Sequence, residues 1–175
     1  MGRTVDGVLI TGVYGSGKSA VAQEIAYGLE QRRRPFALLD LDYLGWGGDN
    51  FDDHAAGMGL MLRNLAAVAA NYRDAGVSTF VVAGFIRSQA ALRDVREAVG
   101  APLPVVRLSV PLLDIERRLA ADVTSGRRDD LAEAAASLAS GEGSGFEDLV
   151  IGNDRPVQVV AREIVTWLGW IPAAR

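Results

Sequence analysis

Eight consecutive residues, Gly12-Val13-Tyr14-Gly15-Ser16-Gly17-Lys18-Ser19, carry the most readable chemistry in this chain. They match the spacing G-x-x-x-x-G-K-[ST], in which backbone N–H groups cradle phosphate oxygens. Lys18 is the only lysine; every other basic side chain is arginine apart from a single histidine. A compact ammonium on a flexible stem can lie along the β- and γ-phosphates, whereas a planar guanidinium has the wrong shape for that slot. Gly12 is expected to end a strand, Gly15, Ser16 and Gly17 to let the backbone approach the phosphates, and the Ser19 hydroxyl to hold Mg²⁺.

A second set of groups is acidic. Asp40 and Asp42 follow the apolar run from Phe36, at the carboxyl end of a strand where open parallel sheets bind ligands. Two residues apart on an extended segment, their carboxylates would point the same way. One can hold Mg²⁺ and the other can take the proton of an attacking hydroxyl. A third set is cationic: Arg87 after another strand, Arg117 and Arg118 on a helix, and Arg127 and Arg128 in the polar stretch beyond it. Positive charge around the oxygens of a moving phosphoryl group is what such chemistry requires.

These groups need elements to hold them. Val8–Thr11 reads as a strand, and Val21, Ile25 and Leu29 mark the buried face of the helix that follows Lys18. A strand is expected over Phe36–Leu41, and a glycine-rich loop over Tyr43–Asp53. Met58, Met61, Leu62, Leu65, Ala69 and Tyr72 mark a long helix that Gly76 closes. Val77–Ala83 and Pro104–Val110 read as strands, with a short helix carrying Leu92, Val95 and Val99 between them. Pro111 opens the next helix, where its missing N–H costs little. Ala132–Leu138 reads as helical and Gly141–Gly145 as a break. Leu149–Ile151 is a fifth strand and Val157, Val160, Ile164 and Leu168 mark a closing helix. Strands alternating with helices predict a parallel sheet covered on both faces.

Composition narrows the chemistry further. The chain has 175 residues, no cysteine and one histidine, His54. Disulfides, thiolate sites and multi-histidine zinc sites are thereby excluded. The formal charge of −4 predicts no broad attraction to nucleic acid or membrane. No apolar run is long enough to span a bilayer, and the N-terminus carries no secretory pattern, so a cytoplasmic protein of one domain, residues 1–175, is expected.

With these residues in view, the chain resembles the P-loop small-molecule kinases, the group of adenylate, shikimate and adenylylsulfate kinases and chloramphenicol phosphotransferase. The resemblance implies a three-layer α/β/α fold with a five-stranded parallel sheet in the order 2-3-1-4-5. It also implies ATP and Mg²⁺ as cofactors and a small-molecule acceptor as partner. Leu39-Asp40-Leu41-Asp42 resembles an acidic pair whose first member lies near Mg²⁺ and whose second contacts the acceptor hydroxyl. Gly84-Phe85-Ile86-Arg87 resembles Gly-Phe-Pro-Arg, whose arginine binds an acceptor phosphate, with Ala83 standing where that family has aspartate and Ile86 where it has proline. Arg117 or Arg118 is implied near adenine, 122–134 as a short lid carrying Arg127 and Arg128, and Asn153 and Arg155 at the base. The acceptor would lie along 43–76, with Trp46, Phe51 and Asn64 shaping its pocket, Trp46 reading equally as a core residue, and Arg87 leaning toward an anion. The competing classes are an NTP hydrolase acting on a protein partner, which would turn over without an acceptor, and a nucleotide-binding regulator without turnover.

Overall fold

A computed structural model describes residues 6–46, 54–122 and 127–171. Phe51 lies outside the described residues, as do the side chains of Arg127 and Arg128.

Five strands form an all-parallel sheet: β1 Asp6–Thr11, β2 Ala37–Asp40, β3 Thr79–Ala83, β4 Val105–Ser109 and β5 Leu149–Gly152. Their order across the sheet is β2-β3-β1-β4-β5, as expected. The central strand β1 pairs β3 from Asp6↔Thr79 to Ile10↔Ala83 and β4 from Leu9↔Val105 to Thr11↔Arg107. The helices are α1 Lys18–Gln31, α2 Leu41–Gly45, α3 His54–Asp74, α4 Gln89–Val99, α5 Leu112–Ala121, α6 Arg127–Ser140 and α7 Val157–Trp167.

Alternation along the strands divides the core. Leu9, Leu39, Phe80, Val82 and Val105 pack against Leu65 of α3 and Leu92 of α4. The residues between them, Val8, Ile10, Val81 and Val106, pack against Val21 and Ile25 of α1 and Ile164 of α7. Both strand faces are therefore apolar, which is why these runs read as continuous rather than alternating. A third cluster sits under the carboxyl edge of the sheet. There Val13 meets Val110, Ile115, Leu119 and Ala134, with Tyr14, Phe85 and Leu131 packed against them. That cluster joins the glycine loop to α5 and α6.

At the opposite end of the sheet, Arg34 donates to Asp6 at 2.8 Å and to Thr79 Oγ1 at 3.1 Å. Its guanidinium also lies 4.8 Å from the ring centre of Trp170.

The expected element ends shift in several places. β3 begins at Thr79 rather than Val77, β4 spans Val105–Ser109 rather than Pro104–Val110, and α6 begins at Arg127, inside the stretch read as polar and lid-like. The larger correction concerns β2. It stops at Asp40, and Leu41–Gly45 forms a short helix where extended chain and then loop were expected. Asp40 is the cause: its backbone stays extended (φ −106°, ψ 116°) while its carboxylate accepts from the Asp42 amide, satisfying an amide that the first turn leaves bare.

Candidate functional site

The glycine loop runs from the end of β1 into α1. Gly17 is the residue before the helix and adopts φ 91°, ψ 21°. A side chain there would be strained, and its Cβ would lie 2.5 Å from Asn153 Nδ2. Two residues brace the loop from outside. Asn153 Nδ2 donates to Ser16 O at 2.7 Å. Arg118 donates to Ser16 O at 3.2 Å, to Gly15 O at 3.4 Å, and to Asn153 O. Fixing the loop's carbonyls in this way leaves its N–H groups available to an anion. Ser16 Oγ is buried and has no hydrogen-bond partner among the described residues.

Lys18 is 6% exposed. Its Nζ donates to Val13 O at 3.3 Å and sits 5.1 Å from the centre of the Tyr14 ring. Burial pulls its pKa down, opposed by the charges of Asp42 and Asp40. Burial also raises the pKa of the Tyr14 hydroxyl, with Asp42 and Glu133 adding to the effect. Tyr14 occupies a variable position of the loop motif, so no spacing rule could have singled it out.

Asp40 ties the loop to the acidic segment. Ser19 Oγ donates to Asp40 Oδ2 at 2.6 Å, and the Asp42 amide donates to Asp40 Oδ1 at 3.1 Å. Asp42 therefore lies in the first turn of a helix instead of continuing a strand. The two acids meet because one caps the other's turn, not because they share a face of extended chain. The pKa of Asp42 is raised, first by desolvation and then by Asp40, Asp130 and Glu133, with Lys18 working against them. α2 lies tight against the end of β3 because Gly84 has no side chain: a Cβ there would come within 2.6 Å of Leu41.

Ala83 pairs in register with Asp40, so a methyl group stands beside that carboxylate at the end of β3. Ile86, where the related pattern has proline, is 3% exposed and belongs to the core. Its amide donates to Thr11 Oγ1 at 3.1 Å.

Arg87 is engaged by protein groups. It donates to Glu133 of α6 and, at 2.8 Å, to Glu142. Its guanidinium stacks 4.8 Å from the centre of the Phe85 ring. Burial opposes its charge, but the bonds to Glu133 and Glu142 prevail and hold its pKa above the usual range. Neither glutamate belonged to the expected site.

The remaining cations separate clearly. Arg118 reaches the loop, whereas Arg117 is exposed and pairs with Asp114 at 3.2 Å. Arg155 is exposed and pairs with Glu163 at 2.9 Å. Asn153 is 6% exposed and its side-chain amide is committed to Ser16 O. On the β2 side, Asn64 donates to Leu44 O at 2.9 Å, joining α3 to α2. Trp46 is 81% exposed, outside the core, with its ring centre 6.3 Å from that of Tyr43. A cavity of about 380 Å³ opens beside the Ser19–Asp40 pair, with Leu38, Tyr43, Leu44, Val68 and Tyr72 among its walls.

No group of three or more metal-ligating side chains occurs among the described residues, and no described helix is long and apolar enough to cross a membrane.

The fold has close counterparts among solved structures. A sugar kinase from Janibacter sp. superposes with a TM-score of 0.70 at 22% identity, covering 99% of this chain and 100% of that one. The APS kinase of Mycobacterium tuberculosis, in complex with AMPPNP and APS, gives 0.69 at 24%, covering 96% and 99%. A gluconokinase from Sinorhizobium meliloti gives 0.64 at 20%, covering 97% and 94%. No curated protein sequence matches the chain. The family model for adenylylsulphate kinase matches residues 5–125, well over half of the sequence. The chain therefore belongs to the adenylylsulphate kinase family of ATP-dependent phosphotransferases.

Proposed function

We propose that this enzyme transfers the γ-phosphoryl group of ATP to the hydroxyl of a small acceptor, with Asp42 as the base. The supporting observation is the Asp40 carboxylate, which accepts from Ser19 on one oxygen and from the Asp42 amide on the other. One side chain thereby fixes the base relative to the phosphate loop. In the transfer, the acceptor oxygen bonds to the γ-phosphorus, and the bond from that phosphorus to the β–γ bridging oxygen breaks. ADP departs with the electron pair, and the acceptor proton passes to the Asp42 carboxylate. A raised pKa makes Asp42 a better proton acceptor than an ordinary carboxylate.

Lys18 would lie along the β- and γ-phosphates, and Gly12, Gly15, Ser16 and Gly17 would line them. The unpartnered Ser16 hydroxyl is a spare donor for an oxygen of that tail. Arg118 and Asn153 would position the loop. Ser19 and Asp40 are hard oxygen donors side by side, which suits Mg²⁺, an ion that keeps waters and takes only one or two carboxylates alongside nucleotide phosphates. When bound, Mg²⁺ neutralises charge on the phosphates. We assign acceptor binding to the segment 43–76, next to the cavity walled by Tyr43, Leu44, Val68 and Tyr72, and closure over the nucleotide to 122–134. The named relatives act on a sugar, a sugar acid or a sulfated nucleotide, so family membership does not fix the acceptor.

The test is ADP release in a coupled assay across a panel of hydroxyl compounds. Turnover is expected to rise with a matching acceptor and to stay low without one. Rapid turnover in its absence would instead make the protein an NTP hydrolase.

A further inference from the structure

The geometry points to Tyr14 as the residue that positions Lys18 for the phosphates, its ring face holding the ammonium at the cradle and off the neighbouring carboxylates. The inference rests on the kinase reading above and deepens it by adding a positioning residue to the phosphate loop.

Lys18 lies among acidic groups. The carboxylates of Asp42, Asp40, Asp130 and Glu133 all act on its charge, Asp42 most strongly. A flexible ammonium in such surroundings is drawn toward an ion pair. The groups that Nζ contacts are nevertheless uncharged: the Val13 carbonyl at 3.3 Å and the Tyr14 ring, with its centre 5.1 Å away. That separation lies within the range over which a ring face attracts a cation, and the attraction grows where water is kept out. Lys18 is 6% exposed. An ion pair with Asp42 would occupy the base and the phosphate-gripping cation together. A neutral ring holds the ammonium and leaves the carboxylate to the acceptor.

The ring is itself held in place. Tyr14 packs against the cluster of Val13, Val110, Ile115, Leu119 and Ala134 that joins the glycine loop to α5 and α6. The next residue, Gly15, adopts φ 75° and presses on α5, where a Cβ would come within 2.9 Å of Ile115. Burial and the charges of Asp42 and Glu133 hold the Tyr14 hydroxyl above its usual pKa, so the ammonium meets a neutral face and not a phenolate. An ammonium has three hydrogens to donate. One goes to Val13 O, and the ring attracts the charge through its face, which leaves hydrogens for the β- and γ-phosphate oxygens. Ring and phosphates therefore act together on Lys18, and loss of the ring weakens nucleotide binding.

The experiment uses the fact that Lys18 is the only lysine. Supplying isotope-labelled lysine to the full-length protein gives one set of lysine side-chain signals by NMR. Protons above an aromatic face resonate upfield of those in a free lysine, so the ε-protons report the ring directly. The upfield shift is expected in the free wild type and in Tyr14→Phe. It should vanish in Tyr14→Leu, which keeps an apolar body in the cluster but has no ring. Calorimetric titration of AMPPNP with Mg²⁺ should then give wild-type affinity for Tyr14→Phe and about 3–10-fold weaker binding for Tyr14→Leu, the size of one cation–π contact. A thermal melt checks that each variant is folded. Wild-type ε-protons at the free-lysine position overturn the inference without recourse to any variant. So does a folded Tyr14→Leu that binds as tightly as the wild type, or a Tyr14→Phe as weak as Tyr14→Leu, which would assign the effect to the hydroxyl. A wild type that shows the upfield signal but holds no AMPPNP removes the kinase reading, and the positioning role with it.

Discussion

On the nucleotide side, one unbroken stretch, residues 12–19, makes the cradle, and outside help comes mainly through backbone carbonyls held by Arg118 and Asn153. At the Arg87 cluster, Arg87, Glu133 and Glu142 come from the segment after β3, from α6 and from the turn after it. The cradle is defined by backbone shape, which admits few sequences and suits any nucleoside triphosphate. The Arg87 cluster is defined by which side chains pair, and pairing can change with single substitutions. A family that keeps one donor and varies its acceptor would be expected to divide its rigidity in this way.

The sharpest way to break that comparison is Asp42→Asn. Turnover should fall by on the order of 10²–10⁴, the loss typical of a removed base, while ATP affinity measured by titration stays nearly constant. An equal fall in affinity would place Asp42 on the nucleotide side. The same variant should melt higher at neutral pH. A folded-state pKa above the unfolded value means that Asp42 favours the folded state fully below its unfolded pKa and loses that contribution as pH rises through the folded pKa. Above the folded-state pKa the ionised form is therefore a liability that the amide removes. The acid limb of kcat against pH should likewise lie above the ordinary carboxylate range.

Lys18→Ala comes next, with a loss of about 10²–10³ in turnover, as for one preorganised charge donor. ATP binding should weaken with it, unlike in Asp42→Asn. Gly17→Ala should lower stability by about 1–3 kcal/mol, because a non-glycine residue is forced into left-handed backbone against Asn153. Asn153→Ala should be mildest, about 1 kcal/mol for one lost hydrogen bond, read as a melting point lower by roughly 2–4 °C in a chain of this size.

Legibility in the sequence follows the same division. The glycine loop, the strand before it and the helix after it were readable because their determinants are consecutive, and the sheet order followed from the resemblance. The helix at Leu41–Gly45 was not readable, since its cause is the Asp40 carboxylate reaching forward to the Asp42 amide, a local bond that apolar spacing does not report. Arg87 follows β3 in the chain, as read from the sequence, but its partners lie 46 and 55 residues away, a separation at which no pattern links a guanidinium to a glutamate. Of the arginine pair on α5, spacing could not tell Arg118 from Arg117. The packing that aims one at the loop and leaves the other in solvent appears only when the helix is docked.

Two of the three tryptophans, Trp46 and Trp170, can serve this protein as optical windows. Trp46, exposed to water four residues beyond Asp42, should change its fluorescence when a ligand settles beside it and should ignore the state of the far end of the sheet. Trp170, lying on a guanidinium at that far end, should respond only when the whole molecule comes apart. In a Trp167→Phe background, which removes the third, partly exposed indole, separating their emission by quencher access would distinguish occupancy from unfolding in a single cuvette, without a dye or a label.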